Sequence, residues 1–162
     1  MRIRAATPDD WSAIWPILWC VGTAGETLTW DDDATPESAR PGWMREPPGR
    51  TVVAVDDDGT VVGSAQTHPN HVGRASHVAN AGFVVHPDHA GKGIGRALCQ
   101  HVLDQARADG YRAMQFNAVV ECNTRAVALW RAIGFSVLAT VPDGFRHPVE
   151  GDVGLLIMYR RL

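Results

Sequence analysis

Residues 79–102 read Ala79-Asn80-Ala81-Gly82-Phe83-Val84-Val85, then His86-Pro87-Asp88-His89, then Ala90-Gly91-Lys92-Gly93-Ile94-Gly95-Arg96-Ala97-Leu98, and run on to Val102. An apolar, β-prone run is followed by a short polar connection, by glycine at every second position, and by an amphipathic segment. That order predicts strand, loop and helix. Glycine at 91, 93 and 95 removes side chains from a helix entrance, so bare backbone N–H groups can close on an anion with the helix dipole behind them. Lys92 and Arg96 add positive charge at the same spot. The stretch reads as a pyrophosphate cradle. Spacing excludes two other phosphate-binding patterns. Gly91-Lys92 is followed by Gly93 rather than by Ser or Thr, and there is no Gly-x-Gly-x-x-Gly with an acid on a strand about 20 residues on. Alternate glycines by themselves also fit a plain linker, so the rest of the chain decides between the two.

At 162 residues, with 45% hydrophobic and 20% charged residues, the chain has the length and composition of one globular domain, spanning 1–162, with a proper core. A net charge of −3 argues against a nucleic-acid partner. No apolar run approaches the roughly 20 residues of a membrane span, and Met1-Arg2-Ile3-Arg4 opens directly into an alternating pattern. Cys20, Cys99 and Cys122 are odd in number and lack metal-ligand spacing, which points to a reduced, cytoplasmic protein without a metal centre.

Arg2–Ala6 alternates as a half-buried strand does. Thr7-Pro8-Asp9-Asp10 is a helix start, and Trp11, Ile14, Trp15 and Leu18 then share one face, with the helix tryptophans expected in the core and Pro16 expected to kink the helix. Gly22–Asp33, carrying Glu26 and Trp30, reads equally as a pocket-lining loop or as an ordinary connection. Pro36–Met44 is a short helix capped by Thr35. Thr51–Val55 and Thr60–Thr67 form a hairpin across Asp56-Asp57-Asp58-Gly59, a turn rather than a calcium loop because its acids are consecutive. His77–Val85 is the next strand, in which Gly82 marks a bulge or a close approach to a ligand. Ala113–Val119 is a strand, Asn123 caps a helix with Ala126, Leu129, Trp130 and Ile133 on its inner face, and Gly134 stops it. Phe135–Val141 and Val153–Tyr159 are the closing strands, separated by 142–148.

The resulting order, β-α-α-β-β-β-α-β-α-β-β, resembles the GNAT acetyltransferase family over nearly the whole chain. Val85-His86-Pro87 through Gly91–Leu98 resembles the family's acetyl-CoA motif, and Asn123-x-x-Ala126-x-x-Leu129-Trp130-x-x-x-Gly134-Phe135 resembles its second motif. The resemblance implies an α/β fold with a mixed, mostly antiparallel sheet of about seven strands and four helices, splayed between the fourth and fifth strands. It implies acetyl-CoA as cosubstrate, bound by Phe83, Val84 and Val85, by His89, Ala90, Gly91, Lys92, Gly93, Ile94, Gly95 and Arg96, and by Asn123 and Trp130. It also implies a small-molecule amine as second substrate and, since dimers are common in the family, a homodimer.

Two positions depart from the family pattern. Ala90 stands where Arg or Gln is usual, which leaves backbone donors with His89 or Arg96 as compensating groups. Trp130 stands where Tyr often protonates the departing thiolate, and an indole N–H cannot serve as an acid. A narrower resemblance joins Gly25-Glu26-Thr27, Asn80, Phe116-Asn117, Asn123, Phe145-Arg146-His147-Pro148 and Met158-Tyr159 to the azetidine-2-carboxylate N-acetyltransferases. It implies that Asn80 and Asn117 meet an amino acid or a toxic analogue and that Asn123 belongs to the same site; Trp30 is added as a substrate contact and Glu26 as a catalytic carboxylate, beside Asn117 and Asn123, from the pocket-loop reading of Gly22–Asp33. Amides on adjacent splayed strands can bind a carboxylate or orient a carbonyl without adding charge. No general base is evident: Glu26 leads, with His77, His147 and Tyr159 behind it and a water relay as the alternative. Other functions consistent with the residues are a phosphinothricin-type, xenobiotic or peptide acetyltransferase and a non-catalytic CoA-binding module.

Overall fold

The computed structural model describes residues 1–31 and 33–162, so Asp32, within the loop expected over Gly22–Asp33, lies outside the described residues. One seven-stranded sheet carries the fold. Its strands are β1 (Arg2–Ala5), β2 (Arg50–Val55), β3 (Val61–Pro69), β4 (Val78–Val85), β5 (Ala113–Val120), β6 (Ser136–His147) and β7 (Gly151–Arg161), in the spatial order β1-β2-β3-β4-β5-β7-β6. Helices α1 (Trp11–Thr23) and α2 (Pro36–Trp43) cover one face, and α3 (Ile94–Ala108) and α4 (Thr124–Ala132) follow β4 and β5 onto the other. Every pairing is antiparallel except β4 with β5, which is parallel and contains only Val78↔Ala113 and Ala79↔Met114. Beyond Ala79 the two strands part, so the edge of β4 that faces β5 has no strand partner.

Side-chain alternation sorts two cores. Ala79, Ala81, Phe83 and Val85 of β4 pack with Leu98, Val102 and Leu103 of α3 and with Met114, Phe116, Trp130 and Phe135. Val84 points the other way, into a cluster of Ile14, Ile17, Leu18, Trp43, Val53 and Val55. Trp43 anchors α2 in that cluster. Its indole N–H donates to the Ser64 hydroxyl at 2.9 Å, and that hydroxyl donates to the Val52 carbonyl at 2.9 Å, so both buried polar groups are satisfied. The first turn of the chain is fixed by Asp10, whose carboxylate takes two hydrogen bonds from Arg4 at 2.7 and 2.8 Å and two from Thr7. Those donors, Arg4 first, hold its pKa far below the usual carboxylate range.

Several expectations need correction. Trp19 is 46% exposed and leans on Trp15 rather than entering the core, because it falls at the edge of the apolar stripe. Strand β4 has no bulge at Gly82, since its register with β3 is continuous from Pro69↔Ala79 to Gly63↔Val85. The close approach there is made by protein: a Cβ at Gly82 would lie 3.0 Å from the Gln66 amide nitrogen and 3.3 Å from the Trp43 ring. The segment 142–148 is not a connection between strands. β6 extends through it to His147 across a register shift between Val141 and Phe145, with Asp143 at φ +53°. Bulged residues need no ladder partners, so an edge strand accommodates Pro142 and Gly144.

Candidate active site

The glycine turn forms as its sequence dictates. A 3-10 turn over Pro87–His89 leads out of β4, and Gly91 and Gly93 then adopt φ of +82° and +81°, a backbone region that L side chains rarely enter. Helix α3 starts at once. The N–H groups of Gly93, Ile94, Gly95 and Arg96 have no protein acceptor among the described residues, so four donors stand open at the positive end of a fifteen-residue helix. The Ala90 N–H, expected to be one of the donors, is already given to the Pro87 carbonyl at 3.0 Å. The donor set therefore begins after it.

The turn opens onto a cleft of about 700 Å³ that follows the free edge of β4 into the splay. Phe83, Val84 and Val85 form one wall, Asn123, Leu129 and Trp130 the opposite wall, and Cys20, Val21, Glu26 and Thr27 the rim from the α1 side. Every residue predicted to hold the cofactor borders this cleft except Lys92, which is exposed and lies off it. Trp130 is buried against Phe83 and Phe116, with ring centroids 5.1 and 5.0 Å away. The Asn123 side-chain oxygen accepts from the Ala126 N–H at 3.1 Å, which starts α4.

Two cleft residues were missed by sequence reasoning. The guanidinium of Arg125 reaches within 3.0 Å of the point where a Gly91 Cβ would stand, which brings a cation over the turn where Ala90 offers none. The Thr27 hydroxyl is buried on the rim with no hydrogen-bond partner among the described residues. Arg125 was legible only as part of a helix start, and no local pattern singles out the Thr27 hydroxyl.

The predicted acceptor residues are held by one that was not predicted. Asn80 on β4 and Asn117 on β5 share the face of the sheet turned toward α1 and α2, and both donate an amide N–H to the same Asn70 oxygen, at 3.1 and 2.8 Å. Asn70 follows β3 and is tied to β4 by its own N–H on the Val78 carbonyl at 2.8 Å. It thus bridges the two strands at the level where they separate. The amide oxygen of Asn117 receives Gln115 at 2.9 Å. Each NH₂ keeps a second N–H for another acceptor, and among the described residues the Asn80 amide oxygen has no donor on it, so the cluster offers both kinds of group to a ligand.

The remaining candidates scatter. Trp30 lies in the second core, its ring 6.4 Å from Trp15 and 6.3 Å from Trp43, and it borders a separate cavity beside Trp15 and Trp19 rather than the cleft. Burial of its apolar ring in that cluster outweighs exposure at the loop. Glu26 is exposed on the cleft rim. The His147 Nδ1 accepts the N–H groups of Val149 and Glu150 at 3.2 and 3.1 Å and so caps its own turn. His77 sits with Nδ1 3.1 Å from the Arg74 carbonyl, ahead of β4. Tyr159 pairs with Gln115 across β5 and β7, on the asparagine face.

A family model described as the acetyltransferase (GNAT) family matches residues 11–135. Among solved structures, a GCN5-related N-acetyltransferase from Kribbella flavida superposes with a TM-score of 0.97 at 51% identity, over 99% of this chain and 97% of that one. The N-acetyltransferase aca1 of Schizosaccharomyces pombe is 32% identical over 69% of this chain, which spans only 53% of that protein. The L-amino acid N-acyltransferase MnaT of Escherichia coli is 30% identical over 88% of this chain and 84% of its own length. A glycine turn at a helix start, a parallel pair that opens after two residues and this likeness in sequence and fold agree: the chain belongs to the acetyltransferase (GNAT) family.

Proposed function

We propose that the protein transfers the acetyl group of acetyl-CoA to the amine of a small amino acid or amino-acid analogue, with azetidine-2-carboxylate as the first substrate to try. The observation that carries this reading is the splay itself. After Ala79 the edge of β4 is open, with the glycine turn at one end of the strand and the Asn70-Asn80-Asn117 cluster at the other. The N–H donors from Gly93 to Arg96, with Arg125 and Arg96 nearby, fit a pyrophosphate. The open backbone edge at Phe83–Val85 fits a pantetheine amide chain added like a strand. Asn123 and Thr27 offer hydrogen bonds to it from the two sides of the cleft. The relative named for L-amino acid acylation supports an amino-acid acceptor.

Acetyl-CoA supplies a thioester, whose carbon forms a bond to the amine nitrogen as its bond to sulfur breaks and the amine proton passes to solvent. The protein's part is to hold the amine at the Asn80 amide oxygen, to keep the acyl end dry between Phe83 and Trp130, and to present N–H groups rather than a strong acid. A thiolate leaves without an acid, because a free thiol has a pKa of about 8.5. No helix among the described residues is long and apolar enough to cross a membrane. A homodimer is the assembly proposed, checked by light scattering in solution.

The test is free-thiol release from acetyl-CoA with azetidine-2-carboxylate and other amino acids, phosphinothricin, polyamines and short peptides. Release is expected with amino acids. Release with peptides alone refutes the small-acceptor reading, and CoA binding without release for any amine leaves a non-catalytic binding module.

A further inference from the structure

On the α2 side of the sheet lies a second cavity of about 990 Å³, bordered by Arg45, Thr51, Met44 and Glu46 and by His68 and Pro69, the residues that lead into Asn70. Arg45 leaves the end of α2 with its side chain partly buried. Its Nε–H donates to the Gln66 amide oxygen at 3.1 Å. None of the ion pairs among the described residues includes Arg45, although Glu46 borders the same cavity. Burial lowers the pKa of this guanidinium, the mark of a cation held away from water without a counter-charge. Such a group is costly until an anion joins it. With Nε engaged by Gln66, the two terminal nitrogens remain for a carboxylate, whose oxygens match their spacing.

The register places this cation close to the asparagines. Gln66 and His68 stand two residues apart on the same face of β3, about 6.6 Å along the strand. His68 pairs directly with Asn80, so their Cβ atoms are about 5 Å apart. An α-amino acid with a hydrogen bond at each end covers about 9 Å between protein atoms, a span of the same size. The His68 Nδ1–H donates to the Pro69 carbonyl at 2.8 Å, and burial holds the ring below its ordinary pKa, so a neutral imidazole and not a second cation separates the two poles.

We propose that Arg45 receives the carboxylate of the acceptor in this cavity while the amide oxygen of Asn80, which no donor among the described residues occupies, takes its amine. The assignment rests on the amino-acid acetyltransferase reading above and adds the residue that tells an amino acid from a plain amine. Polyamines and amino-acid esters leave Arg45 without a counter-charge and are discriminated against for that reason.

The experiment compares azetidine-2-carboxylate with its methyl ester in wild type, Arg45→Gln and Arg45→Lys, by thiol release and by equilibrium binding in the presence of CoA. The wild type is expected to favour the acid over the ester in KM. Arg45→Gln should raise KM for the acid about 10- to 100-fold, as loss of a charge-assisted pair does, while leaving KM for the ester and for acetyl-CoA within about 2-fold. Arg45→Lys should recover part of the loss. Equal use of acid and ester by the wild type, or an equal effect of Arg45→Gln on both, overturns the assignment even when the enzyme is active. Binding that prefers the acid and depends on Arg45, without thiol release, keeps the carboxylate site and refutes catalysis. Absence of both binding and release refutes both.

Discussion

Asn123 has two separable jobs in the structure, and a pair of substitutions pulls them apart. Its side-chain oxygen caps α4 on the Ala126 N–H at 3.1 Å, and its side chain also borders the cleft. Asn123→Ser keeps a capping oxygen and removes the amide; Asn123→Ala removes both. Loss of an N-cap oxygen costs about 1 kcal/mol, which in a chain of this size lowers Tm by about 2–4 °C. Loss of one cofactor hydrogen bond is worth about 0.5–1.5 kcal/mol, or roughly 2- to 10-fold in KM for acetyl-CoA. The expected pattern is therefore asymmetric. The serine variant keeps its Tm and loses acetyl-CoA affinity, and the alanine variant loses both. Thermal melts followed by initial rates across acetyl-CoA concentrations measure the two effects on the same samples. A serine variant with unchanged KM would show that the amide does nothing in the cleft and that Asn123 is a cap alone. An alanine variant with unchanged Tm would show that the cap geometry contributes nothing.

Other outcomes follow from buried groups. Asp10→Asn should cost about 1–2 kcal/mol at pH 7, since it removes the charge and one of the two oxygens that accept from Arg4. The folded pKa of Asp10 is depressed, so its stabilisation is present above the unfolded value of about 3.9 and is lost as pH falls below it. Urea melts from pH 7 to 3 should show a steeper acid loss in wild type than in Asp10→Asn, and parallel curves would refute the pairing. Cys99 is fully buried, and burial pushes its thiol up to about 12, so a maleimide at pH 8 should label exposed Cys20 first and Cys99 only on unfolding. Acetyl-CoA should slow labelling of Cys20, which borders the cleft; no protection argues against acetyl-CoA in that cleft. Trp130→Ala should cost about 3–5 kcal/mol by opening the cluster with Phe83 and Phe116, whereas Trp130→Phe should keep kcat within a few fold because the indole supplies no proton. A 100-fold fall in kcat for the phenylalanine variant would refute that account.

The glycine turn and the helix starts that border the cleft were legible because their information is local. Gly91 and Gly93 announce a backbone conformation, Asn123 announces a helix start, and each signal lies within a few residues of what it builds. The seven strands were legible for the same reason, down to the hairpin whose Asp56 carboxylate accepts from Asp58 and Thr60. What escaped depends on residues far apart in the chain. The extension of β6 to His147 follows from pairing with β7, which supports Pro142 and Gly144 in a strand that their local preference disfavours. Gly82 is explained only once Trp43 and Gln66 are seen above it. Asn70 sits in a polar loop like any other, and only the meeting of β4 with β5 makes its oxygen the shared acceptor of Asn80 and Asn117. The packing of Trp30 against the second core likewise has no local signal, since the cluster it leans on is assembled from α1, α2 and the sheet.

This division bears on which changes the site can absorb. The cofactor half is built largely from main-chain N–H groups, which any residue compatible with the turn supplies. The Arg or Gln side chain usual at position 90 should therefore be dispensable: Arg125 arrives over Gly91 from another helix, and the main-chain donors do not depend on it. On the proposed chemistry the tyrosine hydroxyl absent at Trp130 should be dispensable for a different reason, since a thiolate leaves without a proton, and the Trp130 ring packs against Phe83. The acceptor half has no such redundancy. Its polarity is carried by side chains, and one oxygen on Asn70 decides that the amides of Asn80 and Asn117 turn their NH₂ groups toward it. Replacing Asn70 by aspartate keeps that acceptor but adds a charge, and replacing it by leucine frees both amides to rotate. Substrate preference should therefore change through residues 70, 80 and 117 while acetyl-CoA binding stays as it is, which is how one backbone frame comes to serve different amines.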